Sequence, residues 1–356
     1  MTQKPVSYSK NASQRHVQKT REILRELPGV VTEFIFSLED QTSALTRLAY
    51  VYDLRIFFDF LLRECPAFSG IGRAALDVGD IRKVTARDLQ NFLGYLTLYT
   101  KDGDPEERVI ENEAHGKMRK LSAVRSFFNY LFSNKYIDGN VASLIPLPKR
   151  HEKPIVRLEP NEVARLLDAA ESGDAFNGRQ HKYTAKSRVR DLALLTLLLG
   201  TGIRVSECVG LDMDDIDLDE NAFVVTRKGG NEMILYFSDE VSEALSAYKA
   251  ERKKIEPLEG HESAFFLSMQ RRRITARAIE NIVKKYARIA APLKRTISPH
   301  KLRSTYATEL YKNTGDIYLV ADVLGHSDVN TTKRHYAQMS DEHRRKASKA
   351  VKLRED

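Results

Sequence analysis

The chain has 356 residues, 42% hydrophobic and 30% charged, with a mean hydropathy of −0.42. That length predicts two ordinary globular domains, and no apolar run approaches the roughly 18 residues of a membrane-spanning helix. The N-terminus is basic but has no apolar stretch of about 7–15 residues behind it, so a cytoplasmic protein is expected. Fifty-seven Lys and Arg against 49 Asp and Glu leave a net +8, which suits a polyanionic partner without requiring one.

The first forty residues carry one apolar patch, Val30–Leu38, behind a polar start that reads as mobile. Leu48, Val51, Tyr52, Ile56, Phe57, Phe60 and Leu61 then fall at helical spacing. Thr85 followed by Asp88 has the form of a capping box, which opens a second helix in the segment LQNFLGYLTLY. A polar, turn-rich stretch separates these from a third helical pattern over Lys117–Asn134. Cys65, in the first of these patterns, and Cys208, far away, suggest buried packing residues; their spacing fits neither a disulfide framework nor a zinc site. The expectation for residues 1–148 is a helical domain without strands.

Pro146, Pro148 and Pro154 bracket the basic run Lys149–His151, and so many prolines break both helix and sheet, which places a linker at 149–157. Residues 158–356 read as a second domain. Pro160 stands in the first turn of a helix running to about Ala170, and Arg190–Leu199 is apolar nearly all round, as in a buried central helix. Phe223–Thr226 and Met233–Phe237 are short β-rich runs on either side of a polar, glycine-containing turn, the signature of a hairpin. Helical patterns follow at Val241–Lys254, Ala276–Ala291, Lys301–Lys312, Ile317–Leu324 and from Thr331 onward. The fold class is therefore mainly α with a small antiparallel sheet.

Five segments hold chemistry-bearing residues. Gly200–Glu207 (GTGIRVSE) is not a dinucleotide loop, because Val205 stands where a third glycine is needed and the preceding run is helical. It reads instead as a tight turn between helices that presents Arg204, with Glu207 one turn further on to hold it. Lys228 lies at the hairpin tip beside Arg227. His300 and Arg303 stand three apart at a helix start behind Pro299 and so share a face. Leu324-Gly-His326-Ser follows, and then Tyr336. Taken singly, each is equally compatible with a surface arginine, a solvated turn or a packed aromatic.

In this order, G-x-R-x-S-E at Arg204, a hairpin lysine at Lys228, P-H-x-L-R at His300–Arg303, L-G-H-S at His326 and a tyrosine after T-T resemble the tyrosine recombinases. This is the site-specific recombinase and integrase family that includes the Xer chromosome-dimer resolvases. The matches span about 135 residues. In many members the tyrosine follows the last histidine by nine residues; here Tyr336 follows by ten, and His335 takes the ninth place. The family chemistry requires a phenol, so Tyr336 is kept as nucleophile, with one added residue absorbed locally.

The resemblance implies a helical N-terminal core-binding domain and a mainly helical catalytic domain of the DNA breaking-rejoining fold, clamping duplex DNA at a specific recombination site. Its chemistry needs no metal, nucleotide or other cofactor. Arg204 and Arg303 offer permanently charged planar forks for the non-bridging phosphate oxygens. His300 accepts the Tyr336 proton, since a phenol of pKa near 10 is a poor nucleophile unaided. His326 hydrogen-bonds the phosphate or the attacking oxygen, Lys228 protonates the leaving 5′ oxygen, and Glu207 supports Arg204. A 3′-phosphotyrosine conserves the bond energy for resealing.

Arg271, Arg272, Arg273, Arg277, Lys284 and Lys285 are candidate DNA contacts, with a solvated basic face as the alternative. A homotetramer on paired sites is expected, with the basic tail Asp341–Val351 passing to a neighbour. The absence of an added N-terminal arm favours an Xer-like protein, similar in pattern to the single-recombinase type of streptococci and served by a DNA translocase. A mobile-element integrase, a type IB topoisomerase-like enzyme and a catalytically silent DNA-binding protein are the alternatives, and no membrane partner is expected.

Overall fold

A computed structural model describes residues 8–100, 108–147, 156–173, 179–227, 230–325 and 329. They belong to two compact units, Met1–Lys153 and Pro154–Asp356. Lys228, His326, Tyr336, the tail from Asp341 and most of the expected linker lie outside the described residues.

The first unit is built from α1 (Tyr8–Leu24), α2 (Gly29–Ser37), α3 (Ala44–Glu64), α4 (Val78–Ile81), α5 (Ala86–Tyr95) and α6 (Ala114–Ser133). The polar start is thus largely a 17-residue helix. Among the residues of α1 whose burial is described, only Thr20, Ile23 and Leu24 are buried, so its apolar signal is confined to one end, too short to register as helical periodicity. Ser43 caps α3 by accepting the Thr46 N–H, and Leu48, Val51, Leu54, Phe57, Phe58, Phe60 and Leu61 bury the helix on several sides. The Thr85 and Asp88 side chains cap α5 reciprocally, at 3.2 and 2.8 Å. Edge-on rings close the core, with Phe57–Phe92 and Phe34–Phe127 centroids 5.2 and 5.4 Å apart. The expectation of no strand fails here. β1 (Leu98–Thr100) and β2 (Val109–Glu111) pair antiparallel, Leu98 opposite Glu111. Each has three residues and exposes Leu98 or Val109, so neither carries a legible alternation.

In the second unit, α7 (Pro160–Ser172) starts with its proline in the first turn and ends on left-handed Gly173. α8 (Arg179–Thr201) buries Ala193, Leu194, Leu195, Leu197 and Leu198, as its all-round apolar run requires. After the short α9 (Val205–Gly210) comes an antiparallel sheet of β3 (Ile216–Asp217), β4 (Ala222–Thr226) and β5 (Glu232–Tyr236) in that order. The β4–β5 hairpin sets Phe223 opposite Leu235 and Thr226 opposite Glu232; β3, two residues long, extends it. α10 (Asp239–Arg252), α11 (Ala276–Ala290), α12 (Pro299–Thr314) and α13 (Ile317–Leu324) complete the unit. Ala307, Val320 and Leu324 pack α13 onto α12, which fixes the α13 C-terminus.

Candidate active site

Arg204 is the residue on which α9 begins. Its backbone N–H, one of the unpaired donors of a helix start, goes to Glu207 Oε2 at 2.8 Å, and its Nη1 donates to Glu207 Oε1 at 2.8 Å. Nη2 donates to the carbonyl of Gly325, 121 residues on, at 2.8 Å. The Glu207 side chain is 3% exposed and that of Arg204 33%. The carboxylate therefore lies beneath a guanidinium that still faces solvent.

Arg303 is the fifth residue of α12 and is buried. Its Nη1 donates to Gly202 O at 2.6 Å and its Nη2 to Leu324 O. Gly202 has φ +62°, and a Cβ there would lie 2.4 Å from Cδ1 of Tyr306. Only glycine turns the chain between α8 and α9 while leaving this carbonyl aimed at Arg303. His300, one turn earlier on α12, is exposed. Its own carbonyl accepts the Ser304 hydroxyl at 3.0 Å.

A third arginine joins them. Arg227, at the end of β4, is 9% exposed, and its Nη1 lies 3.2 Å from both Glu207 oxygens. Nη2 donates to Val323 O at 2.7 Å, and Nη1 to Leu324 O at 3.3 Å. Three guanidiniums from three elements thus occupy the successive carbonyls of Val323, Leu324 and Gly325 at the α13 C-terminus. Those carbonyls have no partners within the helix and carry the negative end of its dipole. Gly325 closes the helix in the left-handed conformation, at φ +60°. The sequence marks Arg227 only as the neighbour of Lys228 in the hairpin turn; this inward arrangement, built across 96 residues, has no local signal.

The candidate DNA contacts divide. Arg271 and Arg272 are exposed, and Arg277, on the first turn of α11, has a 72% exposed side chain 3.1 Å from Glu280. Arg273 turns inward instead. It donates to Val209 O at 3.0 Å, to Leu211 O at 2.9 Å and to the Asp212 carboxylate, an inward placement unlike that of exposed Arg271 and Arg272. Lys285 is half-committed as well. Its Nζ lies 4.5 Å above the Tyr286 ring and 3.7 Å from buried Asp191, and burial pulls its pKa below the ordinary lysine value. Lys284 is exposed and, with Arg288, Lys294 and Arg295, lines an open depression of about 530 Å³ floored by Ala287, Ala291, Pro292 and Ile297. Lys284 and Arg288 stand four apart on α11, a spacing that could have drawn attention to the second of them.

The sequence pattern of the phage integrase family matches residues 156–343. The tyrosine recombinase XerC of Caldanaerobacter subterraneus subsp. tengcongensis is 32% identical over 333 residues, covering 90% of this chain and 86% of that protein. The chain belongs to the phage integrase family. It is a site-specific tyrosine recombinase, an enzyme that cuts and rejoins DNA. The tyrosine recombinase XerS of Streptococcus uberis is 30% identical over 358 residues, 92% of this chain and 96% of that one. Among solved structures, the XerH recombinase bound to palindromic difH substrate, a post-cleavage complex, superposes with a TM-score of 0.63. That match has 19% identity and covers 86% of this chain and 80% of that one, a likeness of fold. The family's mainly helical DNA breaking-rejoining fold, with its small antiparallel sheet, is therefore the fold of this chain.

Proposed function

We propose that the enzyme resolves chromosome dimers, using Tyr336 as nucleophile, His300 as the acceptor of its proton, Arg204 and Arg303 as clamps on the non-bridging oxygens, His326 as a hydrogen-bond donor to the reacting phosphate, and Lys228 as the acid that protonates the departing 5′ oxygen. The observation that carries this reading is the convergence of Arg204 and Arg303 on Leu324 and Gly325, the two residues ahead of His326. Arg204 is the outer and Arg303 the inner guanidinium of the pair. Such an electropositive pair suits a phosphate whose charge grows in the transition state. The bond energy passes to the 3′-phosphotyrosine and returns on resealing, so no separate energy source enters the cycle.

The XerC and XerS relatives match over most of their length, which supports a role in chromosome maintenance. In this reading the first unit is the core-binding half of a clamp on duplex DNA, four protomers act on two paired sites, and a DNA translocase brings the sites together. Exposed Arg271, Arg272, Arg277 and Lys284, together with the cations lining the α11 depression, form its phosphate-facing surface, and Arg273 is left out.

Incubating the full chain with fragmented genomic DNA of its source and sequencing what remains covalently attached tests the assignment. Tyr336→Phe should bind the trapped site with near-normal affinity and form no adduct, whereas His335→Ala should still form it. An adduct mapped to His335, or to another tyrosine, overturns the nucleophile. Trapped sequences confined to mobile elements, with none in the replication terminus, overturn the chromosomal role.

A further inference from the structure

We propose that Arg227 is a positioning residue for strand cleavage, tying the strand that leads into Lys228 to the helix end that leads into His326. The inference rests on the assignment of Lys228 as general acid. Arg227 is part of the hairpin turn itself: its N–H donates to Asn231 O at 2.7 Å, and its carbonyl accepts the Gly230 N–H at 3.0 Å. Its side chain leaves the hairpin and reaches Glu207, Val323 O and Leu324 O. Met233 Sδ, on the opposite strand, lies 3.4 Å from Nη2. The fit against α13 is close, since a Cβ added to Gly325 would come 3.0 Å from the Arg227 guanidinium carbon.

The contact is poorly explained by stability alone. The Arg227 Nε is buried without a hydrogen-bond partner among the described residues, and a buried ion pair gains little net stability because desolvation offsets its attraction. What a planar, permanently charged fork held by three acceptors does supply is geometry. Arg227 itself is not placed to serve as the acid, because its guanidinium faces inward onto Glu207 and the α13 carbonyls. A lysine one residue further on must lie within hydrogen-bond reach of the leaving oxygen, and an error near 1 Å costs about 10²-fold. The Arg227 fork ties the strand end immediately ahead of that lysine in the sequence to the Arg204–Glu207 pair and to the α13 C-terminus at once.

Single-turnover cleavage by the full chain of a nicked duplex carrying the trapped site, made with oxygen or sulfur as the bridging 5′ atom, tests the proposal. Sulfur leaves without needing a proton. Lys228→Ala is expected to lose roughly 10²–10⁴-fold on oxygen and to recover on sulfur; without that recovery the general-acid assignment falls and the proposal falls with it. Arg227→Ala should lose about 10- to 100-fold on oxygen, recover on sulfur, and slow the Lys228→Ala enzyme no further. The oxygen-to-sulfur ratio is taken from rates, so a reduced folded fraction does not move it. Arg227→Lys keeps the charge with a single donor head and should shift the ratio the same way by less, which covers misfolding of the alanine variant. If Lys228→Ala recovers on sulfur but Arg227→Ala is slowed equally on both substrates, is not slowed at all, or adds its full loss to Lys228→Ala, the positioning role is wrong and the acid assignment stands.

Discussion

Glu207 holds Arg204 twice, once through the guanidinium and once through the backbone N–H, each at 2.8 Å. The same carboxylate also faces Arg227, so one buried anion orders two cations. Glu207→Gln puts an amide N–H₂ against donors and leaves two guanidiniums around a neutral group. We expect a stability loss of about 3 kcal/mol in urea unfolding, the usual cost of removing one partner from a buried pair, and slower cleavage. Normal stability and normal cleavage would show that Glu207 is not what orders these arginines.

Gly202 links stability to the site. At φ +62° a non-glycine residue costs roughly 1–2 kcal/mol, and the alanine methyl would also press on the Tyr306 ring. Because Gly202 O accepts from Arg303, the strain reaches the guanidinium proposed to clamp the phosphate. Gly202→Ala should lower the thermal midpoint and the cleavage rate together, and adding Tyr306→Ala should recover part of the rate. No recovery in the double variant would assign the whole effect to the backbone.

How much of this could be read in advance depends on the range of each interaction. The Thr85–Asp88 cap and the Arg204–Glu207 pair span three residues, so the spacing alone indicates them. The β4–β5 hairpin is likewise local, two β-rich runs around one polar turn. Arg227 is different, because its acceptors at Val323 and Leu324 lie nearly a hundred residues away. Arg271, Arg272 and Arg273 are chemically identical neighbours, and it is acceptors distant in sequence, in the Val209–Asp212 segment and at Ser263, that hold the third inward. In α1 the apolar residues cluster at one end, which hides a helix whose burial is tertiary.

Asp53 gives the first unit a pH dependence of unusual sign. The carboxylate, 1% exposed on α3, accepts Arg119 Nη2 at 2.7 Å, yet burial outweighs Arg119 and Lys120 and pushes its pKa up to about 6. The folded state therefore holds this proton more tightly than the unfolded chain, whose Asp titrates near 3.9. Its contribution to stability is fully present below about pH 4 and is lost as the pH rises through about 6, an expected change of about 2–3 kcal/mol. Asp53→Asn removes the dependence. The stability difference between wild type and variant, read by hydrogen exchange across α3 and α6, should shift against the wild type from pH 4 to pH 7. A constant difference would mean that Asp53 is already ionised in the fold.

The basic triplet separates exposed charge, proposed to meet DNA, from charge that holds the protein together. Each side chain that neutralises a phosphate releases about one counterion, so its removal lowers the slope of log affinity against log salt by about 1. Arg271→Ala, Arg272→Ala, Arg277→Ala and Lys284→Ala change exposed side chains and should reduce that slope with little effect on the unfolding midpoint. Arg273→Ala should do the reverse. It takes the guanidinium away from Val209 O, from Leu211 O, which keeps the Phe265 N–H, and from Asp212, which keeps the Ser263 hydroxyl, and this predicts a loss of about 1–3 kcal/mol with an unaltered slope. Arg273→Lys keeps one charge near Asp212 but cannot serve three acceptors from one plane, so it should recover only part of the loss. If Arg273→Ala instead flattened the salt dependence at unchanged stability, the inward guanidinium would have to be exchanging onto the DNA, and the division of the triplet would be wrong.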